Sequence, residues 1–253
     1  MQNQNQVMVQ QPMTLDVMLG NQIGNEIASG GLPKDFNKAR FVQNCMALIN
    51  SNQDFNKFPP QAIIGNLIKA AYLSLDFYNK EVWLIPYGGQ LDFSISGKGM
   101  KKLAKQHSTR PIRDIYAKVI RQGDELVETV VNGEPSINFK PKMLNDGEII
   151  GAFAVCLFAD GGMQYEILTK NEIDTIRRKS KAANSPAWKD FYGEMARKSA
   201  MKRLCKNIDI EFDNPNQRDA YDSDMALDDG KSMRAEQPMM ENSEDFIEDG
   251  DMQ

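Results

Sequence analysis

An α+β fold is predicted, with N-terminal helices followed by antiparallel hairpins packed against further helices and a disordered acidic C-terminal tail. Three features carry this reading. Helical apolar spacing fills the chain to about residue 73. Short apolar stretches joined by Gly-rich turns then alternate with helical segments, which favours a mainly antiparallel sheet over a doubly wound one. Past Asp213 the apolar spacing lapses and acidic residues take over.

The elements follow in order. Residues 1–12 hold seven Gln or Asn and little to bury, so they read as a flexible lead-in. They lack the basic and apolar regions of a secretory signal. Leu15, Met18, Leu19, Ile23 and Ile27 keep helical spacing, as do Phe41, Cys45, Leu48 and Ile49. So do Ile63, Ile64, Leu67, Ile68 and Ala71, after Pro59-Pro60 at a helix start. Val82–Ile85 and Leu91–Ile95 flank Pro86-Tyr87-Gly88-Gly89 as a hairpin. Lys98–His107 reads as a helix with Met100, Leu103 and Ala104 on its apolar side. Ile112–Arg121 and Glu125–Val131 read as a hairpin around Gln122-Gly123-Asp124, and Ile149–Phe158 with Met163–Leu168 as another around Asp160-Gly161-Gly162.

Thr169-x-x-Glu172 forms a capping box, with Leu168 and Ile173 placed for a hydrophobic staple. The helix it starts runs through Arg177-Arg178-Lys179 until Ser180–Pro186 breaks it. A last helix is expected from Trp188 to about Asn207. The domains expected are thus a flexible segment 1–12, a core 13–212 and an acidic tail 213–253.

Composition narrows the function. The 253 residues are 41% hydrophobic and 26% charged, as in soluble globular proteins. No apolar run approaches the roughly 18 residues of a spanning helix, so neither a membrane location nor a membrane partner is expected. Cys45, Cys156 and Cys205 are odd in number and far apart, which suits reduced thiols in a cytoplasm. His107 is the one histidine, so a His-rich metal site is excluded, and histidine-based nucleophilic catalysis would rest on a lone residue in a lysine-rich helix. Gly230-Lys231-Ser232 resembles the end of a phosphate loop, but Met225 stands where the first glycine must be. No nucleotide site is expected. A carboxylate-and-metal nuclease stays open, because folding could gather the many aspartates.

The charge is polarised. Residues 211–253 carry 14 acidic and three basic side chains, a net of −11, whereas residues 1–210 are net +6. Within Lys170–Lys206 there are 11 basic and four acidic residues. Such asymmetry points to a polyanionic partner, or else to a solvated face and a solubilising tail. At about 100° per residue, Trp188, Phe191, Tyr192 and Met195 share one helical face, continued by Ser199, Lys202 and Lys206. Ala196, Ala200 and Leu204 form a second apolar line. Trp188 and Phe191 read as core packing before base stacking. Lys198, Lys202, Arg203 and Lys206 partly answer the helix dipole, yet four cations exceed what capping needs. A groove following a phosphate backbone is the stronger reading.

These residues also resemble a known family. Tyr72-Leu73-Ser74-Leu75, Glu81–Gly89 and Gly97–Ala104 resemble linked motifs of the RecT family of phage single-strand annealing recombinases. So do Thr169-x-x-Glu172-Ile173, Arg177, Ser180, Trp188, Tyr192, Met195, Ala196, Lys198 and Arg203-Leu204. The similarity spans about Leu15 to Ile208. Gly97 stands where the family often has an aromatic, which leaves Lys98 a cationic role. The resemblance implies a protein that coats single-stranded DNA and pairs it with its complement without ATP or another required cofactor. It would act as a ring or helical filament, beside a phage exonuclease, with a host single-strand-binding protein as a further partner of the tail. The effect of Mg²⁺ on pairing is left open. The candidate DNA-binding set is Lys98, Lys101, Lys102, Lys105, Arg110, Arg113, Arg177, Arg178, Lys179, Lys181, Lys189, Arg197, Lys198, Lys202, Arg203 and Lys206. The alternative is a protein that protects single strands without pairing them.

Overall fold

The structure, a computed structural model, describes residues 13–225. Three helices come first: α1 (Leu15–Ser29), α2 (Lys38–Ser51) and α3 (Pro60–Tyr72). Their buried faces are those the spacing predicts, with Leu19 and Ile23 on α1, Cys45 and Ile49 on α2, and Ile63, Leu67, Ile68 and Ala71 on α3. Each end has a local cause. Gly30 closes α1 in the left-handed region, and the Asn37 side chain accepts the Arg40 N–H to open α2. Pro60 occupies the first turn of α3, where its missing N–H costs nothing.

Strands β1 (Val82–Tyr87) and β2 (Gln90–Ile95) form the expected hairpin. Gly88 and Gly89 both have positive φ, as the tight two-residue turn between twisted strands demands. Helix α4 (Gly97–His107) follows, opened by the Ser96 side chain accepting the Gly99 N–H. A Cβ at Gly99 would run into the backbone carbonyl of Glu81. That glycine lets α4 sit against the start of β1.

The sheet departs from expectation. Strands β3 (Ile112–Arg121), β6 (Ile149–Phe158) and β7 (Met163–Thr169) form one antiparallel sheet in the order β3-β6-β7. Strand β4 (Glu125–Val131) pairs with a strand the spacing does not reveal, β5 (Glu134–Lys140), in a separate hairpin. The expected hairpin of Ile112–Arg121 with Glu125–Val131 is therefore corrected. Strand β6 is apolar on both faces, as a central strand must be, and takes β3 as its partner. Strand β4 is exposed along most of its length. It turns back at Asn132-Gly133, both at positive φ.

Helices pack on one side of the three-stranded sheet. α5 (Lys170–Lys179) begins with the full capping box: the Glu172 N–H donates to Thr169 Oγ1, and the Thr169 N–H donates to Glu172 Oε2. Leu168 and Ile173 beneath it are wholly buried. The single helix expected from Trp188 is two, α6 (Pro186–Asp190) and α7 (Tyr192–Asn207). Phe191 sits between them at φ −127° and ψ 43°, where the helical path breaks. Trp188 is in the core at 2% exposure, as expected, whereas Phe191, also expected to pack there, is 61% exposed. Ala196, Ala200 and Leu204 press α7 onto the sheet, with Ala152, Ala154 and Cys156 of β6 in the same core. The β4–β5 hairpin covers part of the far face of the sheet, where the Phe139 and Phe153 ring centroids lie 4.9 Å apart.

The packed body does not end at residue 212, where the tail is expected to begin. α8 (Pro215–Met225) lies inside the segment expected to be tail, and buries Ala220, Tyr221, Asp224 and Met225. The expected flexible segment 1–12 and the rest of the expected tail, 226–253, lie outside the described residues. Among the described residues no helix is long and apolar enough to cross a membrane.

Candidate nucleic-acid interface

The sixteen expected cations fall into distinct groups, and several serve the fold. On α4, Lys101 Nζ lies 2.7 Å and Lys105 Nζ 3.4 Å from Asp114 Oδ1 of β3. The Lys101 hydrogen bond leads in holding the Asp114 carboxyl down at about 2. Lys98 donates to the Asn79 carbonyl at 3.0 Å. Lys102 bridges Ser74 O at 2.6 Å and the buried Glu81 at 2.9 Å, tying α4 to the turn before β1. Arg110 grips Asp160 through two hydrogen bonds of 2.6 and 2.7 Å, and its guanidinium carbon lies 4.0 Å from the Phe158 ring centre. Arg113 is exposed nearby.

The convergence expected on α7 does not form. Lys202 is buried: its Nζ donates to the Asp224 carbonyl at 2.7 Å and lies 3.5 Å from the Asp224 carboxylate. Arg203 donates to Glu172 at 2.9 Å, Lys198 donates to Ser94 Oγ of β2 at 3.0 Å, and Lys206 stands exposed near the helix end. Lys202 is therefore removed from the DNA-binding set, because a buried ammonium is held by the partner that offsets its lost hydration. On α5, the Arg177 guanidinium donates to the Ala183 carbonyl, while Arg178 and Lys179 face solvent. Lys181 in the following loop reaches Asp92 of β2 at 3.3 Å. Lys189 is exposed on α6.

A further group of cations lies elsewhere. A cavity of about 330 Å³ at the edge of β3 is lined by Lys118, Arg121, Lys142 and Arg197, with Phe139, Pro141 and Asn145 among its walls. Lys118 Nζ lies 5.9 Å from the Phe139 ring centre. Arg121 donates to the Gly147 carbonyl at 2.7 Å, which fixes the loop between β5 and β6. Arg197 pairs with Glu194 on its own helix.

The carboxylate lining this cavity, Asp124, is turned to structural use. It accepts the Arg121 N–H at 2.8 Å, the Lys142 N–H at 2.9 Å and the Asn145 side-chain amide at 2.8 Å. Desolvation pushes its pKa up, and these hydrogen bonds more than reverse that push, leaving it below the usual carboxylate range. Four cations and an aromatic ring in one lining suit a polyanion carrying flat bases. Of the four, Arg197 alone belongs to the expected set. The alternation of β3 places Tyr116 and Lys118 on its solvent side, but nothing local in the sequence joins Lys118 to Lys142 or Arg197.

All three cysteines are buried free thiols, with Cys156 pushed to about 11 and Cys205 to about 12, burial being the first cause in both. His107 packs its ring against Phe212 at 4.9 Å. Among the described residues no three His, Cys, Asp or Glu side chains gather where a metal could share them.

Comparison with known proteins adds an independent observation. The model of the RecT family matches residues 39–238. Over 198 residues, 74% of this chain and 72% of the relative, the sequence is 25% identical to "Protein RecT" of Escherichia coli (strain K12). Over 167 residues, 65% of this chain and 57% of the relative, it is 26% identical to "Uncharacterized protein YqaK" of Bacillus subtilis (strain 168).

Proposed function

Because the chain belongs to the RecT family, we propose that it is a recombination protein that binds single-stranded DNA and pairs it with a complementary strand without ATP. The observation that supports this reading beyond family is the β3-edge cavity, whose lining includes Lys118, Arg121, Lys142, Arg197 and Phe139. Its carboxylate, Asp124, is engaged by backbone and amide donors. Cations there neutralise phosphates, and sequence fidelity resides in base pairing, so no base-reading side chain is needed. The protein's work is to hold one strand with its bases accessible until a complement is retained by pairing.

On this reading the protein acts in the cytoplasm as a ring or filament, which sets successive cationic surfaces end to end. A phage exonuclease supplies the single strands, and residues 226–253 meet that exonuclease or the host single-strand-binding protein. The test is annealing of fluorophore- and quencher-labelled complementary oligonucleotides, with and without ATP. Acceleration without nucleotide is the expected result. Tight binding with no acceleration of pairing would make the protein a protective single-strand binder instead.

A further inference from the structure

The β1–β2 hairpin has two unlike faces. Val82, Leu84, Phe93 and Ile95 point into the core and are buried. The opposite face carries Trp83 and Ile85, each 44% exposed, in register with Ser94 and Asp92 of the partner strand. The chain has two tryptophans, and the other, Trp188, is buried. Apolar surface left in water and rimmed by polar groups marks an interaction or ligand site.

Two lysines from other elements rim this face. Lys198 of α7 donates to Ser94 Oγ, and Lys181 of the loop after α5 donates to Asp92 Oδ1. These hydrogen bonds span 104 and 89 residues of sequence. Directly opposed residues in an antiparallel pair have Cβ atoms about 5 Å apart. The Lys198 ammonium is therefore held at the residue directly opposite Trp83. Asp92 also lies on this face, and Lys181 pairs with it at 3.3 Å.

We propose that this face of the hairpin is a base-stacking platform for single-stranded DNA: Trp83 lies under a base, and Lys198 and Lys181 hold the flanking phosphates. The inference rests on the proposed DNA-binding function and adds base stacking to its phosphate neutralisation. Stacking tolerates every base, so Trp83 holds a strand firmly without choosing its sequence.

Tryptophan fluorescence tests it. Acrylamide quenching of the full-length protein reports Trp83, because buried Trp188 is shielded. Saturating oligo-dT is expected to quench the emission and protect it from acrylamide. An abasic oligodeoxyribose phosphate of equal length, which offers phosphates alone, is expected to bind without that change. Trp83→Ala is expected to lose about ten-fold in affinity for oligo-dT, with an unchanged salt slope and unchanged affinity for the abasic strand. Trp83→Phe, which keeps a flat ring, should recover most of the loss. Full oligo-dT affinity in a folded Trp83→Ala variant overturns the platform. So does equal quenching by the abasic strand, or protection that follows protein concentration without DNA, which would mark an interface between copies. Failure of the wild-type protein to bind either strand would instead overturn the proposed function itself.

Discussion

Lys202 of α7 and Asp224 of α8 form an ion pair with both side chains at or below 5% exposure. The Lys202 ammonium also donates to the Asp224 backbone carbonyl. The pair fastens the last described helix to the body. Around it, the Tyr221 hydroxyl donates to the Cys205 carbonyl at 3.3 Å, Arg218 donates to Ile210 O at 2.6 Å, and the Phe212 ring packs at a tilt between His107 and Tyr221.

Removing one partner of a buried pair leaves the other charge without compensation. Lys202→Ala is expected to lower stability by about 3–5 kcal/mol, whereas the double change Lys202→Met with Asp224→Leu should be near neutral. Urea unfolding of the two variants measures both. Equal losses in the single and double variants would show that packing, not charge compensation, governs the site.

That pair also marks what the sequence does not disclose. Leu19, Ile63, Leu67 and Leu204 advertise their burial by periodicity, and the capping box announces α5 at Thr169 and Glu172. These signals are local. Lys202 reads as one more cation on a basic helix until Asp224, 22 residues on, is folded against it. α8 is illegible for the same reason, since part of its buried face is a carboxylate. Strand β5 carries Pro135 and an interrupted apolar pattern, and Asn132-Gly133 is the turn signal that could disclose it. The cationic cavity draws Lys118, Arg121, Lys142 and Arg197 from a strand, a loop and a helix. Spacing cannot foretell such a meeting.

The cavity is tested by charge reversal. Lys118→Glu with Lys142→Glu is expected to weaken single-strand binding alike for all sequences. Every phosphate that the variant no longer neutralises should flatten the salt dependence by about 0.7 log units of affinity per log unit of salt. Arg121 is best left in place, because its bond to Gly147 holds the loop. Filter binding across a salt series, beside an Arg178→Glu and Lys179→Glu variant, shows which surface carries the phosphates. An unchanged slope in the Lys118 and Lys142 variant would assign the cavity no role in DNA binding.

Arg110 and Asp160 give a pH-dependent readout. The Arg110 hydrogen bond is the first cause that holds the Asp160 carboxyl at about 2, below the ordinary value of about 3.9. A depressed folded-state value means that the interaction's contribution is present above about pH 4 and is lost as pH falls toward 2. Arg110→Ala should return the Asp160 titration toward the ordinary value and move acid unfolding to a higher pH. Carboxyl carbon NMR shifts and a circular dichroism acid titration measure the two effects. A midpoint that stays near 2 in the variant would show that the Gly162 N–H, which donates to Asp160 Oδ1 at 3.0 Å, suffices.

Where the body ends decides what can be cut away. Residues 226–253 carry nine acidic and two basic side chains, a composition that repels DNA. Truncation after Met225 keeps α8 and its ion pair, and is expected to preserve the unfolding midpoint and oligonucleotide annealing, with non-specific DNA affinity equal or slightly raised. Truncation after Asp213 removes Tyr221 and Asp224, strands the buried Lys202 charge and uncovers the Cys205 side of α7. That protein is expected to be destabilised by several kcal/mol and to lose annealing through loss of fold. A cut at Ser223 falls between the two, because it deletes Asp224 while sparing Tyr221. Thermal melts of the three proteins, run beside annealing at matched salt, separate the roles of helix and tail. If truncation after Met225 abolishes annealing while the melt is unchanged, residues 226–253 belong to the pairing machinery, and repulsion of DNA is not their main effect.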